Sequence, residues 1–317
     1  MAQIPTMSTG LAERFDRIPA PVQGALYMTG AALGFALINV LVRTASAELD
    51  PLQIAFFRNL FALAFMMPWL MRVGLSGLTT RRPVLHLGRA ALGLAAMITW
   101  FTALSLLPLA EAVALNFTVP LFATAGAAVI LGEVVRRRRW TATIVGFLGV
   151  LVIMRPGAAA FSPAAALPIL AALFMAGSAL MVKTLSRTDN PGAVVFIMNL
   201  LLTPLSLVPA LFVWRWPGWE VWAAAVGIGL FAALAHVSLA RAYVKADASA
   251  VMPFHYAQLP LVALLGYLLF AEVPDLWTWV GAAIIAGSAI YIARREAQIA
   301  RERRSETAAS RSPEARL

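Results

Sequence analysis

The sequence predicts an all-α integral membrane protein with ten transmembrane helices, arranged as two inverted five-helix repeats. Three observations lead to this prediction: an apolar composition, ten apolar segments, and a repeat of the sequence after 140 residues. The chain of 317 residues is 61% hydrophobic and 13% charged, with a mean hydropathy of +0.80. A soluble domain of this size does not bury so much apolar surface, so the composition indicates a membrane protein.

Each of the ten apolar segments is a candidate membrane span. A helix of about 20 residues crosses a hydrocarbon core of about 30 Å. The fifth and tenth segments are the shortest, and each ends its copy of the repeat. The candidate spans, numbered one to ten, cover residues 22–42, 51–71, 84–107, 110–131, 140–155, 164–185, 192–214, 219–240, 248–270 and 276–293.

The repeat appears when the sequence is shifted by 140 positions. Residues 31–60 then align with 171–200, and the segment Asn116–Pro120 aligns with Tyr256–Pro260. Each copy holds five spans, and an odd number makes the second copy enter the membrane in the opposite direction, as in many secondary transporters. The predicted organisation is a cytoplasmic N-terminal segment (1–21), a first repeat (22–156), a second repeat (164–293) and a cytoplasmic basic tail (294–317).

Positive charges predict the orientation in the membrane. With the N-terminus in the cytoplasm, 20 of the 25 lysines and arginines fall on the cytoplasmic side, as the positive-inside rule requires. The loop after span four carries Glu133 and four arginines at 136–139, whereas the matching loop after span nine carries Glu272, Asp275 and no basic residue. This reversal of charge between matched loops indicates that the second copy is inverted.

Composition also excludes several classes of protein. The net charge of +10 is explained by orientation and by contact with anionic lipids at the cytoplasmic face, and no basic patch interleaved with aromatic residues indicates nucleic-acid binding. The chain has no cysteine, which excludes disulfides and cysteine-based metal sites. The first 20 residues contain no apolar run, so we expect no cleavable signal peptide before span one. The prediction is a multi-pass inner-membrane protein with both termini in the cytoplasm, either a monomer or a homodimer, with no cofactor and no metal.

Several short motifs resemble the EamA-like branch of the drug/metabolite transporter superfamily. The resemblance covers residues 22–293 and implies an inner-membrane carrier of amino acids, nucleotide-derived cofactors, polyamines or similar metabolites. It also implies a central cavity lined by spans one, three, four, six, eight and nine. The motifs are Phe57-Arg58, Pro120-Leu121, Leu131-Gly132-Glu133 and Gly146-Phe-Leu-Gly149 in the first copy, and Ala248–Phe254, Phe270–Pro274 and Gly281 in the second.

A pair of helix breaks predicts the substrate site. Proline has no N–H group, so Pro120 and Pro260 each free the carbonyl four residues earlier, inside a span. Paired breaks at corresponding positions mark the transport site in repeated carriers, although two purely structural kinks are the alternative. The polar side chains at the breaks are Asn116 and Thr118 in the first copy and Tyr256 and Gln258 in the second.

Ionisable side chains inside spans are further candidates, because burying them in a membrane is costly. His255 lies beside the second break and His236 in span eight; each either serves function or is a neutral histidine bonded between helices. Arg58 in span two, which aligns with Met198, either anchors an anionic substrate or is structural. Arg89 either lines the inner mouth of the cavity or reaches toward the cytoplasm.

Two more residues complete the predicted site. Trp100 in span three either stacks on a planar substrate or packs in the core, and Asn39 lies near the outer mouth. No Asp or Glu lies in the middle of a span, so proton coupling would have to use His255, His236 or Glu111. Uniport or substrate exchange fits equally well.

These features predict a secondary transporter working by alternating access. The neutral and aromatic candidates suit a small amphiphilic or weakly charged metabolite, such as an amino acid or a cofactor-like heteroaromatic. Two alternatives remain: an exporter of drugs or toxic metabolites, and an intramembrane enzyme acting on lipid head groups. The enzyme would have to be built from His236, His255 and Glu111, and no catalytic residue is predicted.

Overall fold

A computed structural model describes residues 18–130, 137–155, 162–185, 189, 191–245 and 254–309, and this part of the chain contains helices and no strand. Seven helical segments are long and apolar enough to cross a membrane, and they coincide with predicted spans one to four and six to eight. Three shorter apolar helices coincide with spans five, nine and ten. The α-helices are α1 (Ala20–Ala45), α2 (Pro51–Val73), α3 (Pro83–Leu106), α4 (Leu109–Asn116), α5 (Val119–Ile130), α6 (Arg137–Met154), α7 (Ala166–Leu185), α8 (Pro191–Leu211), α9 (Trp219–Lys245), α10 (Gln258–Phe270) and α11 (Leu276–Ala309).

Parts of the predicted organisation lie outside the described residues. These parts are most of the N-terminal segment, the loop with Glu133, the start of span nine at 248, and the end of the tail from 310 onward. The described part of the tail is helical, because α11 continues past span ten to Ala309. This stretch is rich in Ala, Arg and Glu, which are good helix formers.

Proline and short polar residues decide where several helices begin. Pro51, Pro83 and Pro191 occupy the first positions of α2, α3 and α8, where the missing N–H group has no helical partner to lose. Asp50 caps α2, since its carboxylate accepts a hydrogen bond of 2.9 Å from the backbone N–H of Leu52. These starts fix the lengths of the spans that follow.

Helices of the two copies pack together in pairs that reflect the repeat. α1 (span one) packs on α9 (span eight). Their equivalents in the other copy, α7 (span six) and α3 (span three), pack on each other in the same way. Equivalent spans also pack on each other, as α2 does on α8, α6 on α11, and α4 on α10. The repeated sequence therefore builds one bundle in which each copy supplies half of every central contact.

Glycines allow α6 and α11 to cross with their backbones in contact. A Cβ atom on Gly281 would lie 2.6 Å from the carbonyl oxygen of Gly149, and one on Gly149 would lie 2.9 Å from the carbonyl oxygen of Gly281. Such close approach is a common use of glycine between membrane helices. An open groove between the same two helices, lined in part by Thr141, Gly287 and Tyr291, contains none of the predicted site residues.

Span four and span nine are interrupted at matching places. A turn at Phe117–Thr118 separates α4 from α5, and a turn at Tyr256–Ala257 precedes α10. Pro120 and Pro260 lie in the first turn of the helix that follows each break. The expectation that Pro260 leaves the carbonyl of Tyr256 free is wrong. The chain turns more tightly here, and this carbonyl accepts a hydrogen bond of 3.1 Å from the N–H of Leu259.

Candidate substrate site

Five aromatic or imidazole rings meet at the two helix breaks, and we call them the ring cluster: Phe35, Phe117, His236, His255 and Tyr256. The ring of Phe35 lies edge-on to His236 at 5.3 Å and to His255 at 5.9 Å. The ring of Phe117 lies edge-on to Tyr256 at 4.7 Å and is 6.3 Å from His255. Since Phe35 and Phe117 belong to the first copy and the other three to the second, the cluster joins the two copies.

The rings from the second copy are half-buried although they lie deep in the bundle. The Nδ1 atom of His236 is 2.7 Å from the carbonyl oxygen of Ala232. Within the described residues the buried Nδ1 atom of His255 has no hydrogen-bond partner. An unused buried nitrogen beside aromatic rings is a position where a polar group of a substrate can bind.

The polar residues at the first break differ in how firmly they are held. Thr118 is fully buried, and its hydroxyl donates to the carbonyl of Leu115 at 2.8 Å. The amide of Asn116 points toward α7, where it is 3.5 Å from the carbonyl oxygen of Pro168 and 3.6 Å from the sulfur of Met175. Contacts of this length are weak, so the Asn116 amide is available to a ligand.

The remaining predicted residues lie around the ring cluster at different depths. Gln258 is the first residue of α10 and is buried, and Trp100 is buried in the apolar core on α3. Asn39 lies one helical turn from Phe35 on α1 and is 3% exposed. Its Nδ2 atom has no hydrogen-bond partner in the part of the chain that the structure describes. Asn39 therefore offers a second unused amide close to the ring cluster.

Two arginines lie inside the bundle without an acidic partner among the described residues. Arg58 is half-buried on α2, and its Nη1 group donates to the amide oxygens of Asn59 at 2.9 Å and of Asn199 at 3.2 Å. The two asparagines are equivalent in the repeat, so one guanidinium joins matching positions of both copies. Arg89 donates to the carbonyl of Val194 at 2.7 Å.

At one end of the bundle, which we call the Glu272 end, a carboxylate of the second copy binds the first copy. Arg43 donates to Glu272 at 3.1 Å and also to the carbonyl oxygens of Leu104 and Leu107. The second carboxylate oxygen of Glu272 accepts from the N–H of Leu109 at 2.7 Å. Glu272 thus connects the end of α1 and the start of α4 to the end of α10.

A second ion pair at the Glu272 end joins Arg155 to Asp275. Asp275 also caps α11, because its carboxylate accepts from the N–H of Thr278 at 2.8 Å and from the Thr278 hydroxyl at 2.7 Å. Burial by itself raises the pKa of Asp275, but the hydrogen bonds from Thr278 and the charge of Arg155 outweigh burial and hold the pKa below its ordinary value.

At the opposite end, which we call the His86 end, the tie between the copies is fully buried. His86 Nε2 lies 2.9 Å from a carboxylate oxygen of Asp189, and both side chains are 1% exposed. The hydroxyl of Thr80 donates to the same oxygen at 2.5 Å. Each end of the bundle therefore holds the two copies together through a carboxylate of the second copy.

Two rings of the cluster and the partners of Glu272 and Asp189 were not predicted from the sequence. Phe35 is on the same face of α1 as Asn39, one turn away, and Phe117 lies inside the break between Asn116 and Pro120. Both signals were therefore present in the helical spacing. The partners of Glu272 and Asp189 gave no local signal, since they are far away in the sequence and only packing brings them together.

The paired helical copies, the interrupted spans and the internal ring cluster define the class of protein: a multi-pass membrane carrier. The sequence model of the EamA-like transporter family matches residues 22–155 and again residues 162–294. The chain belongs to the EamA-like transporter family, and the resemblance seen in the sequence is confirmed. A solved crystal structure with 21% identity has the same fold, with a TM-score of 0.60 over 86% of this chain and 98% of that one.

Several relatives are transporters of small molecules. A protein named riboflavin transporter from Vibrio cholerae is 40% identical over 290 residues, covering 90% of this chain and 97% of that one. Another of that name from Rhizobium johnstonii is 36% identical over 278 residues, covering 87% and 92%. An S-adenosylmethionine uptake transporter from Rickettsia prowazekii is 27% identical over 277 residues, covering 87% and 94%. The prediction of a secondary transporter of a small metabolite in the bacterial inner membrane is confirmed.

Proposed function

We propose that this protein carries riboflavin, or a closely related neutral flavin, across the inner membrane by alternating access. Identity to three proteins named riboflavin transporter is 33–40%, whereas identity to four named S-adenosylmethionine uptake transporter is 27–29%. The higher identity to the riboflavin transporters favours a flavin as the substrate. A flavin is one class of the cofactor-like heteroaromatic molecules predicted from the sequence.

The ring cluster is the observation that supports this substrate. A flavin has a flat tricyclic ring system with hydrogen-bonding groups on one edge and an uncharged polyol chain. Aromatic rings bind its faces, and a few well-placed polar groups orient it. The cluster supplies the rings, while the unused Nδ1 of His255 and the amides of Asn39 and Asn116 supply polar groups around it.

Alternating access requires that each end of the bundle open in turn. Equivalent helices of the two copies make equivalent contacts. This symmetry supports two conformations of similar packing, one open at each end of the bundle. The ties through Glu272 and Asp189 are the contacts that would separate as the copies rock about the ring cluster. The ring cluster itself draws on both copies, so a substrate there would touch both moving halves.

Riboflavin fluorescence tests the proposal directly. Titration of the purified protein into riboflavin should quench the fluorescence, and Phe117→Ala should weaken binding by about tenfold, since an aromatic contact is worth about 1 kcal/mol beyond its area. Phe122→Ala is the matched control, because Phe122 lies edge-on to Phe147 at 5.0 Å, outside the ring cluster. Equal binding by both variants would place the substrate elsewhere, and no quenching by the wild-type protein would reject riboflavin.

We also propose the orientation with both termini in the cytoplasm. Because the chain has no cysteine, single cysteines report sidedness without background. An impermeant maleimide added to intact spheroplasts should label Val273→Cys, which is 76% exposed beside Glu272, and should not label Thr79→Cys before α3. Labelling of position 79 alone would indicate the opposite orientation, with both termini in the periplasm. The basic loops would then also lose their proposed contact with anionic lipids of the cytoplasmic face.

The direction of transport and the assembly state belong to the same proposal. A relative named pseudopaline exporter, 29% identical over 280 residues, shows that related proteins bear names of opposite direction. Net flux in oriented vesicles distinguishes an importer from an exporter, and mass measurement in detergent distinguishes a monomer from a homodimer. The relatives are transporters, so an intramembrane enzyme has no support among them.

A further inference from the structure

The inside of the bundle carries positive charge that no acidic side chain balances. Arg58 and Arg89 are bonded to amide and carbonyl oxygens, and within the described residues no carboxylate pairs with either guanidinium. Charged groups without a partner inside a membrane protein are costly. Packing between helices does not require a charged residue here, since the uncharged Met198 occupies the position of Arg58 in the second copy.

This charge reaches the ring cluster. Helix α2, which carries Arg58, packs on α9, which carries His236. Helix α3, which carries Arg89, packs on α1, which carries Phe35, and the rings of His236 and Phe35 lie edge-on within the cluster. Arg58 also keeps donors unused, because only its Nη1 group makes hydrogen bonds in the described part of the chain. Its side chain is half-buried, and none of its unused nitrogen atoms is fully buried. A molecule bound at the ring cluster therefore experiences a positive field.

We propose that Arg58, assisted by Arg89, makes the substrate site select against cations, so that neutral or anionic aromatic molecules bind and cationic ones are rejected. This inference rests on the proposed function, because it assigns specificity to the same site. It also separates two substrates named for the relatives: riboflavin is neutral, whereas S-adenosylmethionine carries a positive sulfonium group. A like charge about 10 Å away, at an effective dielectric constant of about 20, weakens binding on the order of tenfold.

Two tricyclic probes of nearly the same shape test the inference. Acridine is neutral at pH 7.5, and N-methylacridinium is a permanent cation. Equilibrium dialysis against the full-length protein in nanodiscs of zwitterionic lipid, with empty nanodiscs subtracted, gives a dissociation constant for each probe. The wild-type protein should bind acridine on the order of tenfold more tightly, and Arg58→Met should lower this preference on the order of tenfold, mainly by improving binding of the cation.

Two further variants isolate the charge from other effects. Arg58→Lys keeps a positive charge and should keep the preference for acridine. Arg72→Met removes an exposed arginine from the end of the same helix and should leave the preference unchanged. If Arg58→Met does not fold, the wild-type protein still decides the question: equal affinity for the two probes, or binding of neither, overturns the inference. An unchanged preference in folded Arg58→Met overturns it as well.

The outcome is independent of the test for riboflavin. A protein that prefers acridine over its cation but does not quench riboflavin would keep the charge selectivity and lose the flavin proposal. A protein that binds riboflavin and both probes equally would keep the flavin proposal and lose the charge selectivity.

Discussion

The two ends of the bundle join the same two copies by different chemistry. At the Glu272 end the ties are ion pairs of arginine, and the side chains of Arg43 and Glu272 are 25% and 15% exposed. At the His86 end the tie is a histidine, a carboxylate and a hydroxyl, and the side chains of His86 and Asp189 are both 1% exposed.

The difference in burial between the two ties indicates how strongly each end resists opening. A carboxylate that is fully buried loses its hydration and depends wholly on its protein partners, so separating it from them is costly. A carboxylate that is partly exposed exchanges its protein partner for water at a smaller cost. The Glu272 end is therefore expected to open more easily than the His86 end in the state described by this structure.

The largest expected effect comes from breaking the His86 end. Asp189→Ala should destabilise the protein by about 3–5 kcal/mol, because it leaves His86 and the Thr80 hydroxyl without their shared buried acceptor. For a protein of this size that corresponds to a fall in melting temperature of roughly 10 °C. Thermal unfolding in detergent measures it, with the exposed Glu220→Ala as a matched control. Equal melting temperatures for the two variants would contradict the prediction.

Breaking the Glu272 end should have a smaller effect on stability and a larger one on access. Glu272→Gln keeps the size of the side chain but removes the ion pair with Arg43, at an expected cost of about 1–2 kcal/mol. A single cysteine at position 39, which is buried in the wild-type protein, should then react several-fold faster with a soluble maleimide.

A second variant, at the His86 end, tests whether the two ends open separately. Asp189→Asn lies at the opposite end. In this variant, the cysteine at position 39 should be labelled at nearly the same rate as in the protein whose only change is that cysteine. If both variants accelerate labelling equally, the two ends do not open separately, and the proposal of alternating access by these ties fails.

The smallest expected effect concerns pH at the Glu272 end. Because the pKa of Asp275 is lowered in the folded protein, its ionised form contributes stability that is fully present above its ordinary value of 3.8 and is lost as the pH falls through the lowered pKa. The contribution is under about 1 kcal/mol, since the group is largely exposed. Melting temperatures of wild type and Asp275→Asn should differ at pH 6, and the difference should shrink as the pH falls below 3.8; a constant difference would contradict this account.

Much of the fold could be predicted because hydropathy and repetition are local properties of the sequence. The helices of spans two and three begin at Pro51 and Pro83, within one residue of the starts predicted from the apolar runs. The breaks within the matching segments Asn116–Pro120 and Tyr256–Pro260 follow from proline chemistry.

The site was only partly predictable, because its contacts join distant segments. The histidines were chosen for being ionisable inside spans, and the structure brings both against Phe35, which had no polar feature to draw attention. Trp100 was considered for stacking on a substrate, and it packs in the apolar core. Spacing within a helix can suggest a face, but it does not say which helix of the other copy will lie against that face.

The membrane class, the repeat and the pairs of positions that are equivalent in the two copies follow from the amino-acid sequence alone. Those features depend on hydropathy, proline and charge, which act within single helices or short loops. Helix packing brings Arg58 against Asn199 and places Glu272 and Asp189 between the copies at opposite ends. The reason is that these bonds form between side chains more than 100 positions apart, whose meeting is set by how whole helices pack.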